Sequence, residues 1–108
     1  MMLKGVLYQI IHRGENCATV RILPESPIYK AHFPGYPVTP GVTIVQMAME
    51  LIGKQLKGAK DIKFTVPIIP SADGPLVRFQ WSFKADDVAD ISVFLPGDEL
   101  CAKMSVLV

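Results

Sequence analysis

His32-Phe33-Pro34-Gly35-Tyr36-Pro37-Val38-Thr39-Pro40-Gly41 runs straight into Val42-Thr43-Ile44-Val45-Gln46-Met47-Ala48-Met49-Glu50. The first ten residues hold three prolines and two glycines, a density that no regular element survives. Such a loop is nevertheless stiff, because each proline fixes its own φ. From Val42 to about Lys57 the spacing predicts the one convincing helix of the chain, with Thr39 as N-cap, Pro40 at the first helical position and Gly58 as the stop. That helix is apolar on most of its circumference: Val42, Ile44, Val45, Met47, Ala48, Met49, Leu51 and Ile52. A helix this apolar is buried on more than one side. A single sheet covers it only by curling around it.

Outward from the helix the texture is that of strands. Gly5 to His12 is apolar and partly β-branched, Arg13 to Asn16 turns, and Cys17 to Leu23 alternates, which together predict a hairpin. Pro24 to Ala31 connects this hairpin to the loop. After the helix, Asp61 to Val66 reads as a strand and Pro67 to Pro75 as a turn-rich link. Leu76 to Phe83, Val88 to Leu95 and Leu100 to Val108 read as a three-strand meander, broken by turns at 84–87 and 96–99. Two strands, a helix and about four more strands make an α+β architecture.

Composition narrows the possible functions. The chain has 108 residues, half of them hydrophobic and 19% charged, which suits one globular domain over 1–108. A net charge of +1 supplies no field for nucleic acid or a membrane surface. The longest apolar-rich stretch, Val42 to Gly53, contains Gln46 and Glu50 and falls short of the ~20 residues a bilayer span needs. Met1 to Ile11 has one lysine and a brief apolar run without a cleavage site after it, so it is expected to be mature sequence. Cys17 and Cys101 lie far apart, with neither metal-ligand nor disulfide spacing, so a reducing cytoplasm is the expected setting. No Walker loop, dinucleotide fingerprint, nucleophile elbow or paired-Cys zinc site appears, and neither cofactor nor metal is expected.

Three features can carry chemistry. Histidine can take or give a proton near neutral pH, and a proline-braced loop would hold His32 in place as a base. Its plainer reading is a turn histidine without a role, which is also the reading of His12. The helix start at Gly41 and Val42 offers amides that lack intrahelical partners and carry partial positive charge, and Gly41 lets an oxygen come close. That is an oxyanion site, or simply Pro-Gly punctuation at a helix entry. Thr43, Gln46, Glu50, Lys54 and Lys57 share one helix face. They line either a pocket or the solvent side of the helix.

The stretch from His32 to Glu50 resembles the signature of the 3-hydroxyacyl-ACP dehydratases of fatty acid synthesis. In that family H-F-P-G-x-P-x-x-P-G-V precedes a helix bearing a catalytic acid. His32, Phe33, Pro34, Gly35, Pro37, Pro40, Gly41 and Val42 all match, and Phe64, Pro67, Pro70 and Asp73 resemble the segment after the helix. The resemblance implies a hotdog fold, one long central helix wrapped by a curved antiparallel sheet. It implies a homodimer or a trimer of dimers with sites at the subunit interface, and an acyl-ACP or acyl-CoA substrate of lipid biosynthesis. His32 would be the base that removes the α-proton, its ring held by the carbonyl of Val38. Amides at Gly41 and Val42 would polarise the thioester oxygen, with Phe33 against the substrate.

One position breaks the pattern. The family's acid stands fourteen residues after the histidine, and here that position is Gln46. An amide can orient water but cannot be a general acid, and losing such a group costs ~10²–10⁴ in rate. One turn on, where the family usually carries Gln, this chain has Glu50. Either Glu50 has taken over the acid role from about 5.4 Å along the helix, or dehydration is lost. In the second case thioester hydrolysis or acyl binding as a partner subunit remains. Thr65 and Val66 replace residues that are often basic in the family. Lys54, Lys57, Lys60 and Lys63 are then either a substitute carrier-docking patch or a solvated surface.

Overall fold

The computed structural model describes residues 2–31 and 38–108, with side chains for 2–29 and 38–108. Six strands form one antiparallel sheet: β1 (Tyr8–Arg13), β2 (Cys17–Ile22), β3 (Gly58–Phe64), β4 (Leu76–Ala85), β5 (Val88–Leu95) and β6 (Glu99–Leu107). Their spatial order is β1-β2-β4-β5-β6-β3. The hairpin β1–β2 and the meander β4–β5–β6 follow the local alternation of the sequence. Between β2 and β4 the chain makes a short helix α1 (Pro27–Ala31), then the helix α2 (Gly41–Ile52), and then carries β3 to the far edge beside β6.

Alternation sets one face of the sheet inward. Val20 and Ile22 of β2, Val77 and Phe79 of β4, Ile91 and Val93 of β5, and Met104 and Val106 of β6 are all buried. In α2 Ile44, Val45, Met47, Ala48, Met49 and Leu51 are buried, and they join the strand residues in a single core. The exposed line of the helix is Val42, Gln46 and, partly, Glu50, one turn apart each. Thr43, placed on that polar face by its spacing, is buried instead.

The helix is shorter than its apolar pattern suggested, and both ends differ. It stops at Ile52 rather than near Lys57, because Gly53 adopts φ +77° and its N–H bonds the carbonyl of Met49. Only glycine takes that left-handed conformation without a Cβ penalty, so the first glycine the helix meets ends it. The Arg13 guanidinium donates to the carbonyl of Leu51 and satisfies the same end. Residues 54–57 then lead into β3, which Gly58 opens. At the other end Pro40, not Thr39, is the cap residue, with no side-chain cap bond. The Thr39 hydroxyl is engaged with the buried Tyr29 hydroxyl at 2.8 Å, and its amide donates to the carbonyl of Ile68 at 2.9 Å. Among the described residues no helix is long and apolar enough to cross a membrane.

Candidate functional site

Helix α2 positions most of the candidate residues. Gly41 and Val42 are its first two residues, and Val42 is 77% exposed, so the helix start faces open space. Its first amides have no carbonyl one turn back within the helix. The ring of Phe64, at the end of β3, lies over Gly41: a Cβ there would sit 2.7 Å from Cε2 of the ring. A side chain at residue 41 would therefore have to push that ring aside. Val38, half-buried, precedes the cap, while His32 and Phe33 lie outside the described residues.

Gln46 and Glu50 are joined within the chain, with Gln46 Nε2 donating to Glu50 Oε2 at 3.2 Å. Glu50 has further partners that its position in the sequence did not announce. The amide of Leu3 donates to Oε2 at 2.7 Å, and the amide of Lys4 donates to Oε1 at 3.0 Å. The Tyr8 hydroxyl donates to Oε1 at 2.8 Å. Both oxygens therefore accept from two donors each. Burial, followed by the adjacent Glu50 carboxylate, raises the Tyr8 hydroxyl well above the usual phenol range. Tyr8 keeps its proton and serves as a donor. The carboxylate fastens the turn that precedes β1, where Val6 and Leu7 amides both reach the carbonyl of Leu3.

A groove of about 1010 Å³ runs along the exposed side of α2. Val42, Val45, Gln46, Met49 and Glu50 form its floor, and Met2 and residues 53–56 its sides. It is mostly apolar, with Gln46, Glu50, Lys54 and Gln55 as the polar side chains along it, the character of a small-molecule site. A smaller hollow of about 310 Å³ lies at the helix start between Gly41, Ile44 and residues 64–67. Another, of about 440 Å³, lies on the opposite side of the sheet around Asn16, Gln80 and Asp90, away from these residues. Lys54, Lys57, Lys60 and Lys63 are all exposed.

Tyr8, the Leu3 and Lys4 amides and Met2 were missed by reading the sequence, and Phe64 was read only as part of a family-like segment. Two are main-chain groups, which leave no side-chain signature. The adjacency of Gln46 and Glu50 at one helical turn was legible, as was the place of Gly41 and Val42 at the helix start.

Comparison with known proteins identifies the family and the fold. The family model described as ApeI-like, ApeI dehydratase, matches residues 10–94. A 3-hydroxyacyl-[acyl-carrier-protein] dehydratase FabZ of Bacillus pumilus is 34% identical over 78 residues, 72% of this chain. The match takes in 45% of that relative, so the chain spans about half its length. Among solved structures, a chain of the dehydratase heterocomplex ApeI:P from Xenorhabdus doucetiae superposes with a TM-score of 0.70 at 20% identity, covering 93% of this chain and 96% of that one. The E. coli PaaI protein of the phenylacetic acid degradation operon superposes with a TM-score of 0.58 at 16% identity, covering 96% and 83%. These two likenesses establish the hotdog fold.

Proposed function

The chain belongs to the ApeI-like dehydratase family, and from that premise we propose that it is the base-bearing subunit of a 3-hydroxyacyl-thioester hydro-lyase. The observation that carries this reading is the state of its two acid candidates. Gln46 holds the position of the family's acid, and Glu50 spends both carboxylate oxygens on donors of its own chain. A general acid must turn a proton toward its substrate. Neither residue is so placed, while the loop of His32 and the helix start keep the family's pattern.

In this reading the sheet curls around α2, and the site forms where two subunits meet. His32 takes the α-proton, with its ring held by the carbonyl of Val38, and Phe33 packs on the substrate. The amides of Gly41 and Val42 donate to the thioester oxygen as negative charge develops on it. The bond from Cβ to the hydroxyl breaks, the double bond forms between Cα and Cβ, and the hydroxyl leaves as water. The proton for that water comes from a carboxyl on the helix of a second, acid-bearing hotdog subunit. The heterocomplex named for the Xenorhabdus structure supports such an arrangement. A homodimer would have the same pocket with Gln46 in the acid's place. The carrier of the acyl group is an acyl carrier protein or coenzyme A. The saturation of Glu50 also favours a second reading, an acyl-thioester-binding subunit that does not turn its ligand over.

Mass spectrometry of 3-hydroxyacyl thioesters incubated with wild type, Gln46→Glu and Gln46→Glu/His32→Ala tests the proposal. Gln46→Glu is expected to release water ~10²–10⁴ times faster than wild type, and the double variant to lose that gain. Equal rates for wild type and Gln46→Glu would overturn it, as would free acid released in place of the enoyl product. Binding without product in all three chains supports the second reading.

A further inference from the structure

We infer that Glu50 is a positioning residue that holds the N-terminal turn as a wall of the acyl groove, so that this wall, through Met2, selects for long acyl chains. The inference rests on the thioester reading above. Three observations carry it. The groove along α2 is lined by Met2 as well as by the helix. Met2 is 60% exposed, whereas the next residue, Leu3, is 2% exposed. The amides of Leu3 and Lys4 end on the Glu50 carboxylate, which rises from the groove floor.

The geometry gives the wall a place along the substrate. A helix rises about 1.5 Å per residue, so Glu50 lies about 12 Å beyond Val42. An acyl group whose thioester sits at the helix start runs along Val45 and Met49. A short acyl group ends before Met2, and a long one reaches it. Apolar contact with Met2 then strengthens binding of the long chain alone, at roughly fourfold in affinity per methylene buried. Without the carboxylate the turn loses two of its anchors, and the wall no longer keeps its distance from the helix.

The test compares binding of 3-hydroxybutanoyl- and 3-hydroxydodecanoyl-N-acetylcysteamine to wild type, Glu50→Gln and Met2→Ala by calorimetry, so that turnover is not required. In Glu50→Gln one oxygen becomes an amide that faces donors. Amide hydrogen exchange at Leu3 and Lys4 is expected to quicken about ten- to a hundredfold. Both variants are expected to bind the dodecanoyl thioester several-fold more weakly and the butanoyl thioester as wild type does. Met2→Ala replaces an exposed side chain and keeps the comparison valid if Glu50→Gln folds poorly. Unchanged discrimination between the two thioesters in Met2→Ala would overturn the wall, as would unchanged exchange at Leu3 and Lys4 in a folded Glu50→Gln. If wild type binds neither thioester, the functional reading falls along with the wall, while the exchange data still report on the latch.

Discussion

Replacing Glu50 by alanine removes the acceptor of Leu3, Lys4 and Tyr8 in a single step. The cost can be worked from burial. Tyr8 is 1% exposed and Leu3 2% exposed, so water reaches either donor only through the space the Glu50 side chain leaves in the groove. A buried donor left unpaired costs about 1–3 kcal/mol, more where its partner was charged. Lys4 is exposed, and water takes over its bond at little cost. The two donors together give about 2–6 kcal/mol, a large part of the roughly 5–15 kcal/mol that holds a domain folded. At about 4 °C per kcal/mol for a domain of this size, the melting temperature should fall by about 8–24 °C. Urea unfolding followed by the fluorescence of Trp81, the one tryptophan, measures the loss directly. Tyr8→Phe alone should cost about 1 kcal/mol. The double variant should cost less than the sum by about 0.5–3 kcal/mol, because both changes break the same bond. A Glu50→Ala cost under about 0.5 kcal/mol, the range of ordinary surface changes, or strict additivity with Tyr8→Phe, would refute the structural role given to Glu50.

Three further outcomes follow from the fold. The Cys101 thiol is buried and pushed up from 9.0 to about 11, so its neutral form is favoured in the folded chain. That contribution is complete below pH 9 and is lost as pH rises through 11, about 2–3 kcal/mol in all, with buried Tyr8 acting in the same direction. Cys101→Ala should therefore lose less stability than wild type between pH 8 and 11, and parallel urea midpoints over that range would contradict it. Arg13→Leu removes the donor at the carboxyl end of α2 and should cost about 1–2 kcal/mol in urea unfolding, an unchanged midpoint being the contrary result. Gly41→Ala places a methyl against the Phe64 ring, which is 46% exposed and can swing outward. Stability should then change by no more than about 1 kcal/mol while the ring resonances of Phe64 shift in NMR spectra, and unshifted resonances would show that the ring does not cover the glycine.

What the sequence revealed and what it hid divide along the range of the interactions. Val88–Leu95 forms the strand its alternation predicts, and the β1–β2 hairpin and the closing meander are likewise local patterns. The position of β3 beside β6 is a pairing between segments some forty residues apart, and no local pattern encodes it. Gly58 was expected to end the helix, but Gly53, the first glycine it meets, does so, and Arg13 completes that end from the distant strand β1. Thr39 had the chemistry of a cap, but Tyr29 on α1 claimed its hydroxyl. Glu50 shows the limit most clearly. Its identity and its helical turn from Gln46 were legible and invited a catalytic role. Its partners at Leu3 and Lys4 are backbone amides more than forty residues away. The base assigned to His32, and the contact assigned to Phe33, rest on the motif and the family, since both lie outside the described residues.

The central claim is that this chain carries a base but no free acid, and that its site is completed across a subunit interface. Mixing wild type with His32→Ala/Gln46→Glu tests it most directly. Wild type keeps the base without the acid, and the double variant keeps an acid without the base. After the two are unfolded together and refolded, water loss from a 3-hydroxyacyl thioester should appear in the mixture and be negligible in either chain alone. Full dehydration by wild type alone, or an inactive mixture of folded and associated chains, would contradict the account.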